Sequence, residues 1–520
     1  MDMFIKLSML IVFFGVMADV GLYCRKHATD VNGFVLGGRS VGPWLTAFAY
    51  GTSYFSAVVF VGYAGQFGWK YGIAATWAGI GNAFLGSLLA WAVLGRRTRV
   101  MTQHLDSATM PQFFERRFQS KALKLAASAV IFLFLIPYTA SLYNGLSRLF
   151  GMAFDIDYAV CVIVMAVLTG VYVIAGGYMA TAINDFIQGI IMIVGIIAVI
   201  AAVLNSQGGF LEALNKLGQV TDPLVSTTPG VFNSFFGPDP GNLLGVVLLT
   251  SLGTWGLPQM VQKFYAIKSE QAINKGMIIS TVFAMIVAGG CYFLGGFGRL
   301  FTEQIGVTEA GVPVGGYDAV IPTMLSGLPT VLIAVVVILV LSASMSTLSS
   351  LVLASSSTLT LDFIKGSIIK DMDEKKQIRW IRGLIVMFIA ISVVLAIVQY
   401  KSSVTFIAQL MGVSWGALAG AFLAPFLFGL YWKKATAASC WASFLFSTVV
   451  MLANTVAKPL FPVMLQSPIN AGAFCMIAGL IIVPAVSLFT KKPDEAHLTD
   501  VFSCYDAPVT VTAKHSLTRH

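Results

Sequence analysis

The chain has 520 residues, of which 57% are hydrophobic and only 11% charged. That composition excludes an ordinary soluble domain and indicates a polytopic helical membrane protein. The net charge of +9 lies in loops rather than on a folded basic domain, which excludes nucleic-acid binding and makes the charge a report on topology.

Apolar runs of roughly 20 residues, each long enough to cross a hydrocarbon core about 30 Å thick, recur along the chain. Thirteen transmembrane helices are expected, numbered here as segments 1 to 13: about 3–23, 43–66, 72–94, 122–150, 157–176, 181–204, 240–262, 272–298, 328–361, 380–400, 404–431, 436–456 and 468–490. Segment 1 runs into YCRKH with no small-residue cleavage site, so it reads as a retained helix. Arg96, Arg97, Arg99, Arg116, Arg117 and Lys121 crowd the loop after segment 3, and Lys365, Lys370, Lys375 and Lys376 the loop after segment 9. Few Lys or Arg fall on the other side, so the expectation is a plasma-membrane protein with its N-terminus outside and its C-terminus in the cytoplasm.

Segment 2 carries AYGTSYFSA (Ala49 to Ala57) at its middle. Segment 7 carries TSLGTWGLPQM (Thr250 to Met260), where Pro258 removes a backbone donor and Gly253 and Gly256 let the chain leave helical geometry. Unwound backbone at membrane depth is tolerable only where it lines a cavity. The two breaks lie five segments apart, an odd offset that would insert a second five-helix unit upside down. Paired broken helices in an inverted repeat point to a solute and ion site near the midplane. Either break alone is also explained by a packing kink.

Between the breaks lies Asp185, the only carboxylate well inside an apolar stretch, with Gln188 on the same helix face. An acid at that depth costs several kcal/mol unless it is paired, protonated or facing a cation. It is a cation ligand, a proton carrier, or a helix-end acid satisfied by nearby backbone or Arg. Segment 9 places six hydroxyls in LSASMSTLSS, at Ser342, Ser344, Ser346, Thr347, Ser349 and Ser350. Ala343, Ser346, Thr347 and Ser350 follow i, i+3, i+4, i+7 spacing and share one face. A line of oxygens on one face suits a small hard cation stripped of water.

The loops at 205–239 and 299–327 are candidates for short surface helices or lids. The polar stretch 491–520 reads as a partly disordered cytoplasmic tail after a single membrane domain, 1–490. Six cysteines without CxxC spacing act as small hydrophobes, and five histidines in loops or the tail form no metal-ligand cluster. The sequence has no nucleophile with a base and no phosphate-cradling loop, so neither an enzyme nor an ATP-driven pump is expected. A passive channel would need a symmetric pore or a ring of charges; a proton-coupled carrier would use Asp185.

GGRS at 37–40, GGYMATAINDFIQ at 176–188 and SASMSTLSS at 342–350 resemble the sodium/solute symporter family, which includes bacterial proline, pantothenate, sialic acid and sugar transporters. The resemblance covers about 1–490. It implies an all-α LeuT-type fold: one leading helix, inverted repeats at about 43–204 and 240–431, and two trailing helices. It also implies Na⁺-coupled import of a small organic solute by alternating access. By motif position, the principal sodium site falls on Thr52, Phe55, Ala343, Ser346 and Thr347. A second sodium site, which some members have, falls on Asp185, Ser349 and Ser350. Solute is expected beside the breaks, near Ser53, Tyr54, Ser56, Tyr138, Thr254, Trp255 and Gln409. Tyr138 matches an aromatic of the proline branch. Thr250 and Thr254 stand where that branch has two aromatics, Tyr54 replaces its segment 2 acid, and GLP at 256–258 is closer to pantothenate-type carriers. The solute is therefore an amino acid such as proline, or a pantothenate-like carboxylate.

Overall fold

The computed structural model describes residues 2–25, 29–154, 157–369, 371–402 and 407–505. Among them the secondary structure is helical, with only isolated β-bridges. Ten helices are long and apolar enough to cross a membrane, or eleven counting the bent pair Pro240–Gly256 and Pro258–Ala266, which meet at 46°. Two of the ten, Val58–His104 with 47 residues and Tyr158–Ser206 with 49, would each be ~70 Å long if straight, more than twice a bilayer core. Each turns at a glycine in the left-handed region, Gly72 (φ +61°) and Gly177 (φ +56°). A Cβ at Gly72 would lie 2.0 Å from the Phe232 carbonyl oxygen, so only glycine fits there.

Segment 9 (Thr330–Thr358) lies at the centre, with 78% of its apolar window buried against 22% for segment 1. Segments 1, 2, 4, 6 and 10 pack around it. Exposed Leu133, Val167, Ile197, Val282, Val394 and Ile481 give the outer helices an apolar surface suited to lipid.

Both expected breaks are present. Pro43–Tyr54 ends at Phe55, which is extended (φ −84°, ψ 114°), and helix resumes at Val58. Ser56 Oγ accepts from the Val58 N–H at 3.2 Å, capping the restart. In segment 7, Leu257 is extended (φ −78°, ψ 123°) and Pro258 begins the second half, where its missing N–H costs nothing. Segment 8 (Glu270–Gly295) runs beside both halves of segment 2. A Cβ on Gly51 would lie 2.4 Å from the Phe283 ring, and one on Gly68 1.9 Å from the Gly295 carbonyl oxygen.

The 205–239 loop contains the helix Phe210–Gln219 and is pinned by Arg299. This guanidinium donates to Asp222 Oδ2 (2.9 Å) and the Trp69 carbonyl (2.7 Å), and lies over the Phe232 ring at 4.0 Å. Part of the tail is ordered and packs on the bundle. Residues Glu495–Ser503 form a helix capped by Asp494, with Leu498, Val501 and Phe502 buried. Arg97 beyond it lies over Tyr431 and Tyr505, at 4.0 and 4.5 Å. The polar average of this stretch concealed an apolar face at 498, 501 and 502. Residues 506–520 lie outside the described residues.

Candidate cation and solute site

From Thr52 on, the carbonyls before the break have no helical amide ahead of them, because the helix stops at Phe55. Segment 9 meets them with hydroxyls. Thr347 Oγ1 lies 3.0 Å from Thr52 O, 3.3 Å from Phe55 O and 3.1 Å from Ala343 O. Ser346 Oγ lies 3.2 Å from Thr52 O and 3.0 Å from Ala343 O. The five residues expected at the principal sodium site thus bring three carbonyl and two hydroxyl oxygens into one fully buried, uncharged cluster. Hard cations of sodium's size sit about 2.3–2.6 Å from oxygen, which sets neighbouring ligands roughly 3.3–3.7 Å apart. The cluster would widen by a few tenths of an ångström to take one.

One turn along segment 9 the chemistry changes. Asp185 is fully buried, and Lys263 Nζ lies 3.8 Å from its Oδ2. The same ammonium donates to Ser350 Oγ at 3.0 Å and stands 5.1 Å over the Tyr178 ring. Ser53, expected near solute, lies here instead, its Oγ 2.9 Å from Ser350 Oγ. Ser349 Oγ turns back to the Ser346 carbonyl (2.9 Å). Gln188 and Asn184 reach Met17 on segment 1. A sodium ion about 4 Å from the ammonium would meet a repulsion of about 4 kcal/mol at an effective dielectric of 20. Lys263 was missed because its charge ends the apolar run at 262, whereas the helix continues to Ala266. The signal available was its position five residues past Pro258.

Of the other expected solute residues, Ser56 and Tyr138 converge. The Tyr138 ring meets Trp415 edge-on at 5.9 Å, and its hydroxyl lies beside Ser56 and Trp415. Trp415 also covers Gly253, where a Cβ would lie 2.5 Å from the indole. This residue was not foreseen; it is the one large aromatic in a run of small residues, GVSWGALAG. Thr254 and Trp255 turn toward segment 3. Thr254 Oγ1 donates to Gly86 O and Trp255 Nε1 to Leu85 O, both at 2.9 Å. Both carbonyls lie in a π-helical stretch, Asn82–Leu89. Gln409 is half-buried on segment 11 (Ile407–Tyr431), about 9 Å along the helix from Trp415. Tyr54 is the last helical residue before the break; its side chain lies outside the described residues. Gln259, just past the segment 7 break, is fully buried and its amide has no hydrogen-bond partner among the described residues.

The Arg-rich ends of the helices are knotted together. The GGRS turn holds Gly37, Gly38 and Arg39 at φ +57°, +67° and +56°. Arg39 thereby donates to carbonyls of Thr102, Ser107 and Tyr265. Asp362 accepts from Thr109 Oγ1 (2.6 Å) and Gln112 Nε2 (2.8 Å). At the opposite end a cavity of about 640 Å³ is lined by Gln66, Trp69, Asp239, Arg299 and Asn470, among others.

The sodium:solute symporter family model matches residues 34–446. The chain is 31% identical over 511 residues to a sodium/proline symporter of Staphylococcus aureus, across 95% of this chain and 94% of that one. It is 27% identical over 488 residues to the osmoregulated proline transporter of Bacillus subtilis, across 93% and 95% of the two chains. In fold it is similar to a Na⁺-coupled sialic acid symporter in a substrate-bound outward-open state, with a TM-score of 0.71 and 16% identity over 94% of this chain and 99% of that one. Two broken helices around a buried oxygen cluster, carried on a LeuT-type framework that matches along nearly its whole length, make this chain a member of the sodium:solute symporter family: a membrane carrier that couples solute import to Na⁺.

Proposed function

We propose that the solute is proline, imported with Na⁺ across the plasma membrane by alternating access. The observation that carries the coupling is the uncharged five-oxygen cluster between the segment 2 break and segment 9. Sodium entering from outside draws the Thr52, Phe55 and Ala343 carbonyls and the Ser346 and Thr347 hydroxyls onto itself. This fastens segment 2 to segment 9. Coupling follows because the ion stabilises the conformation in which these parts are together and no other. Proline as the solute is supported by two relatives with nearly full-length matches that carry that name.

The chemistry of the corner agrees with it. Its apolar ring suits the right angle between Tyr138 and Trp415. Its carboxylate suits the helix starts at Val58 and Pro258, and its ammonium the carbonyl ends at Tyr54 and Gly256. Ser56 and the unpaired amide of Gln259 complete the polar contacts. The Arg-rich face is cytoplasmic in this reading, with thirteen crossings and the N-terminus outside. The Arg39 knot then closes the cytoplasmic side while solute enters. Inward release is driven by low internal sodium and by the membrane potential, about 2.3 kcal/mol per charge per 100 mV.

The test is uptake of labelled proline into proteoliposomes under an inward Na⁺ gradient, with K⁺ as control and pantothenate as competitor. Accumulation in Na⁺ alone, unaffected by pantothenate, is expected. Equal uptake in K⁺ would sink the coupling, and Na⁺-dependent uptake of pantothenate without proline would move the solute to the other branch.

A further inference from the structure

We propose that Lys263 is a tethered cation standing where the family resemblance puts a second sodium ion, so that this carrier moves one Na⁺ per solute. The inference rests on the sodium-symport reading above and concerns its stoichiometry. Three observations carry it. Lys263 Nζ lies between the expected ligands, 3.8 Å from Asp185 Oδ2 and 3.0 Å from Ser350 Oγ. The pocket is closed to solvent, with side-chain exposures of 3% for Lys263 and 0% for Asp185. And neither Asp185 oxygen has a hydrogen-bond donor among the described residues, so the ammonium is what balances the acid.

One carboxylate and one ammonium already balance. A sodium ion admitted here would be a second positive charge on a single acid, in a pocket closed to bulk solvent. The cluster suits a univalent cation of oxygen-seeking chemistry, and the chain supplies that cation itself. Its attachment also matters. Lys263 belongs to segment 7 and reaches segments 6 and 9, whereas the principal cluster joins segment 2 to segment 9. Each broken helix therefore has its own cationic tie to segment 9, one exchangeable and one covalently retained.

Two measurements test this. In proteoliposomes clamped at zero potential with a tenfold Na⁺ gradient, the opposing proline gradient that just stops net flux is about tenfold for one sodium and about a hundredfold for two. About tenfold is expected for the wild type, and a hundredfold overturns the proposal. The second measurement needs no solute: the melting temperature of purified protein against Na⁺ concentration, whose slope scales with the number of ions bound by the folded state. In Lys263→Gln the vacated place should take a sodium ion and double the slope. Asp185→Asn/Lys263→Gln, which removes both charges, should return it to the wild-type value. A Lys263→Gln slope equal to wild type would overturn the proposal; the reversal measurement uses the wild type alone and decides the matter if that variant cannot be purified. A wild type indifferent to Na⁺ in both experiments would instead bring down the sodium reading itself.

Discussion

One turn of segment 9 separates two candidate cation clusters of opposite design. At Ser346 and Thr347, neutral oxygens gather without a charge among them, and the hydroxyls donate to the same carbonyls that would face the ion. At Ser350, a carboxylate and an ammonium face each other with a hydroxyl in support. The first cluster is self-satisfied when empty, because every hydroxyl proton has a carbonyl. The second has no such resting state, since withdrawing either partner leaves a bare charge buried away from solvent. What makes a cation site exchangeable is thus less its affinity than the comfort of its empty form.

The sharpest way to break this contrast is Asp185→Asn alone. It leaves the Lys263 ammonium buried without a counter-charge and should cost about 3–5 kcal/mol, read as a large fall in melting temperature in any salt. Most of that loss should return on adding Lys263→Gln, and no rescue would mean Asp185 acts through other partners. Next comes the neutral cluster: Ser346→Ala or Thr347→Ala should each raise the sodium concentration for half-maximal uptake about tenfold, equivalent to about 1.4 kcal/mol, with little change in melting without Na⁺. Unchanged sodium dependence in both would remove the site. An effect of similar size, on stability rather than on sodium affinity, is expected at a second buried ion pair, Arg299–Asp222. Asp222→Asn keeps an acceptor for Arg299, so a loss of about 1–2 kcal/mol in stability is expected, with sodium dependence untouched; a shifted sodium curve would mean the loop takes part in coupling.

The smallest effect concerns an acid with no cation in contact. Asp318, in the 299–327 loop, accepts from the Ile407 N–H at 3.2 Å, and burial pushes its carboxyl up to about 6. Because the folded chain holds this proton more tightly than the unfolded one, the stabilisation is full below the ordinary carboxylate range and is lost as pH rises through about 6. Melting temperature should therefore rise modestly from pH 7 to pH 5, and Asp318→Asn should flatten that part of the profile.

Much of this was legible in the sequence, for physical reasons. A proline two residues past a glycine on segment 7 favours a break, and period-3.6 hydroxyls on segment 9 share a face. The oxygen cluster followed once those met the family motif. Lys263 was not legible, because it stands one residue past the apolar run that ends at 262, whereas its charge is paired inside the bundle. Thr254 and Trp255 pointed elsewhere than expected because two carbonyls of a π-helical stretch in segment 3 hold them, and no residue in NAFLGSLL announces that. The tail helix was obscured by averaging over a stretch with only a narrow apolar face.

The contacts of segment 8 carry a last consequence. Gly51 lies under Phe283 on one side of the segment 2 break, and Gly68 against the backbone of Gly295 on the other. The break is thereby braced on both sides by one continuous helix, which opposes its use as a hinge. Thr52 and Phe55 must travel as a fixed pair of jaws, approaching segment 9 or leaving it together. An ion held by such jaws is either gripped or let go, with no half-open grasp through which it could slip across without its passenger.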